Sequence, residues 1–279
     1  MLLATLLSLG AAVLHAAWNL VAKRAEGDLY LVLWAQFFVA GVLALPCLVV
    51  NHLVWGMPIQ GYVWAALSGA VHLPYVWLLA RAYTIGDFSI SYPIARGGGA
   101  ALAAIGGVVF LSDHLRLAEI VGIGVVVLGL ALLAHGASGP GVMMALLVAT
   151  TIAAYTLFDA KGARTTESVA YVFATFVGGA ASNSIFALAT GRRREMGAML
   201  RVNWKRAVST GAASLVTYGL VLVAVQRASV GYVTALRESS VVLAALAGWK
   251  LLGESDHGRR LASAAVVFTG LLVLVLGPG

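Results

Sequence analysis

Apolar runs of about twenty residues dominate the sequence and leave little choice of fold. A helix needs about 20 consecutive apolar residues to cross a bilayer. Charged residues make up 10% of this chain, against about 25% in soluble proteins. A water-soluble globule is therefore excluded, and the runs predict a helical protein with many membrane crossings. Ten spans are predicted, over residues 2–22, 29–50, 61–80, 88–111, 117–134, 141–160, 167–190, 206–226, 230–252 and 259–277.

Basic residues lie between the apolar runs, where they indicate orientation in the membrane. The loops after spans one, three, five, seven and nine carry twelve lysines and arginines, and the other loops carry four. Cytoplasmic loops are enriched in these residues, so we expect the first set, which includes the longest loop at Gly191–Lys205, in the cytoplasm and both termini outside. The pair Lys23-Arg24 follows the first span rather than preceding it, so we expect residues 1–22 to be a retained helix. The cytoplasmic (inner) membrane is the expected location.

A repeat of 141 residues relates the two halves of the chain. Each half contains five predicted spans, and an odd number of spans inverts the second half relative to the first. We therefore predict an all-α membrane protein of ten transmembrane helices, built as two five-helix inverted repeats over residues 1–137 and 138–279. The matched pairs are Arg96 with Arg237, Gly107 with Gly248, Asp113 with Glu254, and Gly129 with Gly270.

The last span of each half carries a small residue at every seventh position. Two helical turns separate successive members, so they share one helix face and allow the backbones of two helices to approach closely. These positions are Gly122, Gly129 and Gly136 in the first half, and Ser263, Gly270 and Gly277 in the second.

Several phrases of the sequence are typical of one family. They are HAAWNLVAKR at His15–Arg24, YPIARGGG at Tyr92–Gly99 and ALRESS at Ala235–Ser240, together with a fourth span that ends in an acid in each half, as FLSDHL and LLGES. The chain resembles the EamA-type transporters of the drug/metabolite transporter superfamily over essentially its whole length. The resemblance implies a ten-helix bundle with a central cavity, alternating access, and export of small metabolites or drugs that is often coupled to protons. The chain departs from the family pattern at Asp113, where the first half would usually carry Glu. The two halves also differ from each other, because Thr234 occupies the position that corresponds to Pro93.

Three ionisable residues lie deep inside predicted spans, namely Arg96, Arg237 and Glu238. Charges at such depth usually face the bundle interior or a wet cavity and mark a functional site. We expect Arg96 and Glu238 to approach one another or to share a substrate, although a purely structural ion pair would explain them as well. Glu238 is the favoured proton carrier because burial favours the neutral carboxylic acid. Asp159 is the second candidate, with an interfacial role beside Lys161 as its alternative.

Other polar and aromatic residues are candidate walls of a substrate cavity. His15, Trp18 and Asn19 share one face of the first helix through i, i+3, i+4 spacing, and a hydrogen-bonded core histidine with an interfacial tryptophan is the alternative. His72 and Tyr75 share a face of the third helix in the same way. Pro93 and the triplet Gly97, Gly98 and Gly99 predict a bend near Arg96, or close helix packing, or both. Tyr92 and Tyr155 complete the candidate set, and Trp34, Gln36, Asn183 and Tyr218 are weaker candidates.

The interpretation favoured by these features is a secondary-active transporter of small organic molecules, most simply an exporter, that works by rocking one half against the other. The arginines suit a carboxylate or phosphonate and Glu238 suits an amine, which favours amino-acid-like metabolites. The alternatives are a membrane enzyme acting on a lipid-linked substrate and a non-transporting accessory protein. The sequence has neither a zinc-binding H-E-x-x-H motif nor a P-loop, so we expect no enzymatic activity, metal, cofactor or direct ATP drive. The expected partners are a small-molecule substrate and the lipid bilayer rather than nucleic acid, as a monomer or a homodimer.

Overall fold

The computed structural model describes residues 1–22, 27–85, 88–133, 135, 139–166, 169–240 and 257–276. The described residues form helices and turns, and none of them forms a strand, which confirms the all-α prediction. The helices are α1 (Leu2–Ala22), α2 (Leu29–Val54), α3 (Ile59–Ile85), α4 (Phe88–Leu111), α5 (Leu117–Leu133), α6 (Pro140–Thr166), α7 (Ala170–Ala189), α8 (Arg193–Val225), α9 (Val230–Arg237) and α10 (His257–Leu276).

Six of these helices contain segments that are long and apolar enough to cross a membrane, namely α2, α3, α4, α6, α7 and α8. Shorter apolar segments lie in α1 and α5. Large apolar side chains such as Leu53, Phe110 and Ile185 are more than half exposed on the outside of the bundle, as expected where helices face lipid. The chain is thus a multi-pass membrane protein. The total of ten spans and the two-repeat architecture stay predictions.

The prediction of a loop at Gly191–Lys205 is wrong, because α8 begins at Arg193 and includes most of these residues. This stretch is rich in Arg, Glu, Met, Ala and Leu, which are good helix formers. Met196 and Met199 bury their side chains in one cluster with Tyr30 of α2, so tertiary packing stabilises the added turns. Asn203 has a non-helical backbone (φ −110°, ψ 17°), and this kink lies within the polar start of α8, shortly before its last basic residues, Lys205 and Arg206.

Small residues let the helices of the bundle approach closely. α6 packs against α3 and α4, α2 against α7, and α1 against α8. Where α3 meets α7, a Cβ atom built on Gly69 would lie 2.6 Å from the carbonyl carbon of Gly178, so the two backbones are in direct contact. The Ser182 hydroxyl donates to the Gly69 carbonyl at 2.6 Å across the same crossing. Close backbone approach of this kind is a common means of stabilising helix pairs in membranes.

The predicted small-residue faces meet where α5 crosses α10. A Cβ atom on Gly129 would lie 2.9 Å from the backbone nitrogen of Val267, and one on Gly270 would lie 2.8 Å from the Gly122 carbonyl oxygen. Each glycine therefore contacts the backbone of the opposite helix, as the spacing predicts. Gly136 and Gly277 of the same pattern lie outside the described residues.

We expect Gly129→Ala and Gly270→Ala each to lower the free energy of unfolding by about 1–3 kcal/mol, because the added methyl group has to push two backbones apart. The matched control is Gly124→Ala on α5, where a Cβ atom would meet nothing within 4 Å. That change should be neutral or stabilising, since alanine favours helix by about 1 kcal/mol over glycine. Reversible unfolding in mixed detergent micelles measures all three variants, and equal effects at Gly124 and Gly129 would contradict the close crossing.

Candidate functional site: a buried ion pair between α4 and α9

Arg96 and Glu238 form an ion pair in the interior of the bundle. Arg96 lies on α4, and Glu238 directly follows the last residue of α9. The guanidinium Nη2 atom lies 2.6 Å from Oε1 of the carboxylate, and the two side chains are 9% and 3% exposed. The expected approach of these residues is therefore present in the structure. Their role in binding a substrate stays a prediction.

The second carboxylate oxygen and a neighbouring arginine extend this charged centre. Glu238 Oε2 and Thr156 Oγ1 are both buried, and each lacks a hydrogen-bond partner in the part of the chain that the structure describes. A buried acceptor without a partner is costly, by about 1–3 kcal/mol. Arg237 is buried too, with its guanidinium carbon 6.0 Å from the ring centre of Tyr218 on α8. The centre thus has spare hydrogen-bonding capacity on its acidic side.

His15 and Tyr155 lie within electrostatic range of both arginines. This places α1 and α6 beside α4 and α9 around the ion pair. Trp18 and Asn19 lie on α1 with His15, and Tyr92 lies on α4 with Arg96. The side chains of these last three residues are outside the described part of the structure, so their predicted places in a cavity wall stay predictions.

Aromatic rings form a connected wall next to this centre. The His72 ring stacks on Tyr155 with centroids 4.5 Å apart, and Tyr75 meets Tyr155 edge-on at 5.3 Å. Tyr155 in turn meets Tyr218 at 6.4 Å. The structure therefore brings together His72, Tyr75 and Tyr155, as predicted, and adds Tyr218, which the sequence marked only weakly.

Two further members of the aromatic wall were missed by the sequence analysis. Phe37 of α2 packs edge-on against His72 at 5.2 Å, and Phe176 of α7 packs against Tyr218 at 6.0 Å. A single phenylalanine in an apolar run carries no sequence signal of its own. These two rings could be assigned to the aromatic wall only from the packing of α2 and α7 in the structure.

Asp159 forms a second buried acidic centre on α6. Its side chain is fully buried, and its carboxylate accepts hydrogen bonds from the hydroxyl groups of Tyr171, at 2.9 Å, and Tyr218. Lys161 is exposed, and the Asp159 carboxylate bonds to tyrosines instead, so the alternative of a pair between Asp159 and Lys161 is wrong, while an interfacial position of Asp159 stays a prediction. Helical periodicity explains why the two residues do not pair, because two residues along a helix point in different directions. Tyr218 also connects Asp159 with the charged centre, since its ring lies near Arg237.

A third polar cluster, which we call the end clamp, lies where α4, α6, α8 and α9 meet, and it consists of Asp113 and Arg164. Arg164 Nη1 donates to Asp113 Oδ1 at 2.6 Å, and Arg164 also donates to the carbonyls of Val225 and Ala228. Asp113 Oδ2 accepts from the backbone amide of Val230, the first residue of α9, at 2.7 Å. Asp113 therefore caps the start of α9 as well as pairing with Arg164. Its repeat partner Glu254 lies outside the described residues.

The glycine triplet of α4 packs closely against neighbouring helices. A Cβ atom on Gly97 would lie 2.9 Å from Leu130 of α5, one on Gly98 3.0 Å from Ala149 of α6, and one on Gly99 2.6 Å from Ile152 of α6. The helix runs from Phe88 to Leu111 as one element. Close packing therefore explains the glycines, while a bend at Pro93, whose side chain is not among those described, stays a prediction.

A cleft of about 700 Å³ lies between α2 and α7, near the C-terminal end of α2 and away from the ion pair. Its lining is Pro46, Cys47, Val50, Asn51, Trp55, Gly56, Val169, Ala170 and Phe173. These residues are mostly apolar and none is charged. The chemistry for recognising a polar ligand lies at the ion pair instead, and a cavity there stays a prediction.

Together, these features define a helical membrane protein with several ionisable side chains buried inside its bundle, as in membrane proteins that bind or move polar solutes. Residues 139–276 match the model of the EamA-like transporter family. The second half of the chain belongs to this family of membrane transporters in the drug/metabolite transporter superfamily.

The likeness in fold extends over the whole chain. A protein of known crystal structure aligns with 98% of this chain and 98% of its own, with a TM-score of 0.71 and 18% sequence identity. At this identity the likeness concerns the fold alone. Among curated protein sequences, none matches this chain significantly.

Proposed function

We propose that this protein is a secondary-active exporter of small metabolites or drugs in the cytoplasmic membrane. It works by alternating access around a central cavity between two inverted repeats, residues 1–137 and 138–279, which together contribute ten transmembrane helices. The energy source is the proton gradient. The observation that carries the proposal is the buried ion pair between Arg96 and Glu238, because a charge inside a membrane costs about 2.5 kcal/mol or more to insert and is retained where it serves a function.

The packing of the helices supports the two-repeat architecture. If α1–α5 correspond to α6–α10, the α3–α6 contact has α8–α1 as its counterpart, and the α3–α7 contact has α8–α2. Both members of each pair are extensive contacts in the structure. The contacts α2–α7, α4–α9 and α5–α10 are their own counterparts, and all three are present. A two-fold axis between the halves would produce this pattern. The ion pair would then lie near that axis, where transporters built from inverted repeats bind their substrates.

The charges around the ion pair support a substrate that carries a carboxylate or a phosphonate. Arg96 and Arg237 are both buried, and both lie within electrostatic range of His15. Guanidinium groups bind such oxyanions through paired hydrogen bonds. Glu238 Oε2, which has no described partner, suits an amine of the same substrate. An amino-acid-like metabolite fulfils both requirements, with the rings of His72, Tyr75 and Tyr155 beside it.

Proton coupling is supported by two carboxylates in the bundle interior. Glu238 and Asp159 are 2% and 0% exposed, and burial favours the neutral form of a carboxylic acid. Tyr218 donates a hydrogen bond to Asp159 and contacts Arg237, the residue that precedes Glu238 in the chain. An amine of the substrate and a proton compete for the Glu238 carboxylate, so protonation of Glu238 would release the substrate, as export driven by a proton gradient requires.

A ligand screen followed by a flux assay tests this proposal. Purified protein is heated with panels of amino acids, carboxylates, phosphonates and amines, and we expect compounds with both charges to raise the unfolding temperature. Arg96→Gln should remove the shift, whereas Lys161→Gln, an exposed control on α6, should retain it. Vesicles loaded with the best ligand should release it when a pH gradient is imposed. The release should stop when a protonophore is added. Ligands that stabilise Arg96→Gln equally, or flux that ignores the gradient, would contradict the proposal.

A further inference from the structure

The polar start of α8 presents a surface of uncompensated positive charge beside a membrane-spanning segment. We call this surface the basic collar, and its members are Arg193, Arg194, Arg201, Lys205 and Arg206, which are all exposed. Arg201 and Arg206 donate only to uncharged acceptors, the Gly197 carbonyl and the Asn203 amide oxygen. Within the described residues, no carboxylate forms an ion pair with any of the five.

The nearby acids are already engaged by a sixth arginine. Arg192 lies 2.9 Å from Asp28 and 2.6 Å from Glu195. Partial burial raises the pKa of Asp28, but hydrogen bonds from Arg192 and the backbone amide of Leu31 outweigh it and leave this pKa below its usual value. Asp28 therefore stays ionised and paired with Arg192. Arg192 and its two acids together carry a net charge of −1, so with the five cations of the basic collar this end of α8 keeps a net charge of +4 that is available for a partner.

The basic collar directly precedes the apolar part of α8 and is held against the bundle. Met196 and Met199 anchor the start of α8 against α2, and the kink at Asn203 is followed by the apolar part of α8. Trp204 is 55% exposed, and Val202 is 79% exposed. Tryptophan favours the boundary between lipid and water, and here its ring lies 5.6 Å from the ammonium group of Lys205. Cations and apolar side chains thus alternate at the level where a span enters the membrane.

We propose that the basic collar binds the head groups of anionic phospholipids, with Trp204 and Val202 inserted at the membrane surface. Charge complementarity selects the occupant, because the five cations face phosphate groups at the depth where the head groups lie. Each lysine or arginine near a membrane surface adds about a factor of five to the affinity for anionic lipid. The collar therefore distinguishes phosphatidylglycerol, which is anionic, from phosphatidylcholine, which has no net charge.

Titration of the purified protein with phosphatidylglycerol in mixed micelles of an uncharged detergent tests this inference. Lipid retained per protein, measured by mass spectrometry of the intact complex, gives the affinity. We expect Arg201→Gln with Lys205→Gln to weaken binding about 25-fold, as two lost charges imply. The charge-keeping pair Arg201→Lys with Lys205→Arg should bind normally. So should Lys161→Gln with Arg227→Gln, exposed cations near the opposite end of α8.

Three results would overturn the inference. They are unchanged binding by the Arg201 and Lys205 charge-removal variant, equal retention of phosphatidylcholine, and displacement of the lipid by inorganic phosphate at a matched concentration, which would indicate a site for free anions. If the charge-removal variant does not fold, the unmodified protein decides. Its binding of phosphatidylglycerol should weaken steeply as salt rises from about 0.05 M to about 0.5 M, and binding that is independent of salt would contradict the role of the collar.

Discussion

Replacing Arg96 by glutamine should abolish transport and lower the free energy of unfolding by about 3–5 kcal/mol. Removal of one partner from a buried ion pair leaves the other charge uncompensated, and this cost is usually in that range. Here Glu238 is 3% exposed on its side chain, and its second oxygen already lacks a described partner. Unfolding in mixed micelles measures stability, and substrate release from reconstituted vesicles measures transport. Normal flux through a correctly inserted Arg96→Gln protein would contradict a functional role for the pair.

The double variant Arg96→Met with Glu238→Met separates the functional role from the structural one. Apolar side chains of similar volume often replace a buried ion pair at no cost, or even with a gain of about 1–4 kcal/mol. We therefore expect its stability to return to the unmodified value or above it. Transport should stay abolished, because neither the cation nor the proton carrier is present. A double variant that recovers both stability and flux would show that the pair only holds α4 against α9.

Replacing Asp113 by alanine should have the second largest effect, a loss of about 2–4 kcal/mol in the free energy of unfolding. The change removes the ion pair to Arg164, whose side chain is 24% exposed, and leaves the Val230 amide without its acceptor. A buried donor left unpaired costs about 1–3 kcal/mol, and the broken pair adds to it. Both terms act at the start of α9, so we expect local loosening there as well.

The matched control for Asp113→Ala is Arg116→Gln, which breaks a nearby pair with Glu119. The Arg116 side chain is 38% exposed, and that of Glu119 is 5% exposed. The Arg116 backbone amide also donates to Glu119 and is kept in the variant, so we expect a loss of about 1 kcal/mol, the upper end of the range for exposed pairs. Hydrogen exchange at the amides of Val230 and the residues after it should rise in Asp113→Ala and stay unchanged in Arg116→Gln. Equal stability of the two variants would mean that the end clamp contributes no more than a surface contact.

The sequence predicted best those parts of the fold that hydrophobicity alone decides. The bounds of α1 and α4 agree with the predicted spans at 2–22 and 88–111, because charged residues or breakers flank these runs. The start of α8 was missed for the same physical reason. Its helix is stabilised by methionines packed on α2, and a search for apolar runs does not detect a polar helix that lies outside the hydrocarbon.

Some residues of the candidate site could likewise be predicted from the sequence, and others could not. A charge inside an apolar run is visible in the sequence, so Arg96 and Glu238 could be identified and paired before the structure was known. The partners of Asp159 could not, since Tyr171 and Tyr218 lie 12 and 59 residues away. Only the packing of α6 against α7 and α8 brings them together. The same holds for Phe37 and Phe176, and for the apolar cleft between α2 and α7.

The links between α4 and α9 bear on which parts of the protein can move. One link is the ion pair within the bundle, and the other joins the end of α4 to the first amide of α9 through Asp113. Asp113 has little freedom to adjust, because its own amide donates to the Gly107 carbonyl and the preceding Ser112 has a left-handed backbone (φ 56°). A movement of the two sequence halves as separate rigid bodies would have to break both links at once. Unless both are broken, α4 and α9 travel as one mechanical unit, and the sliding surfaces lie between that unit and the helices around it.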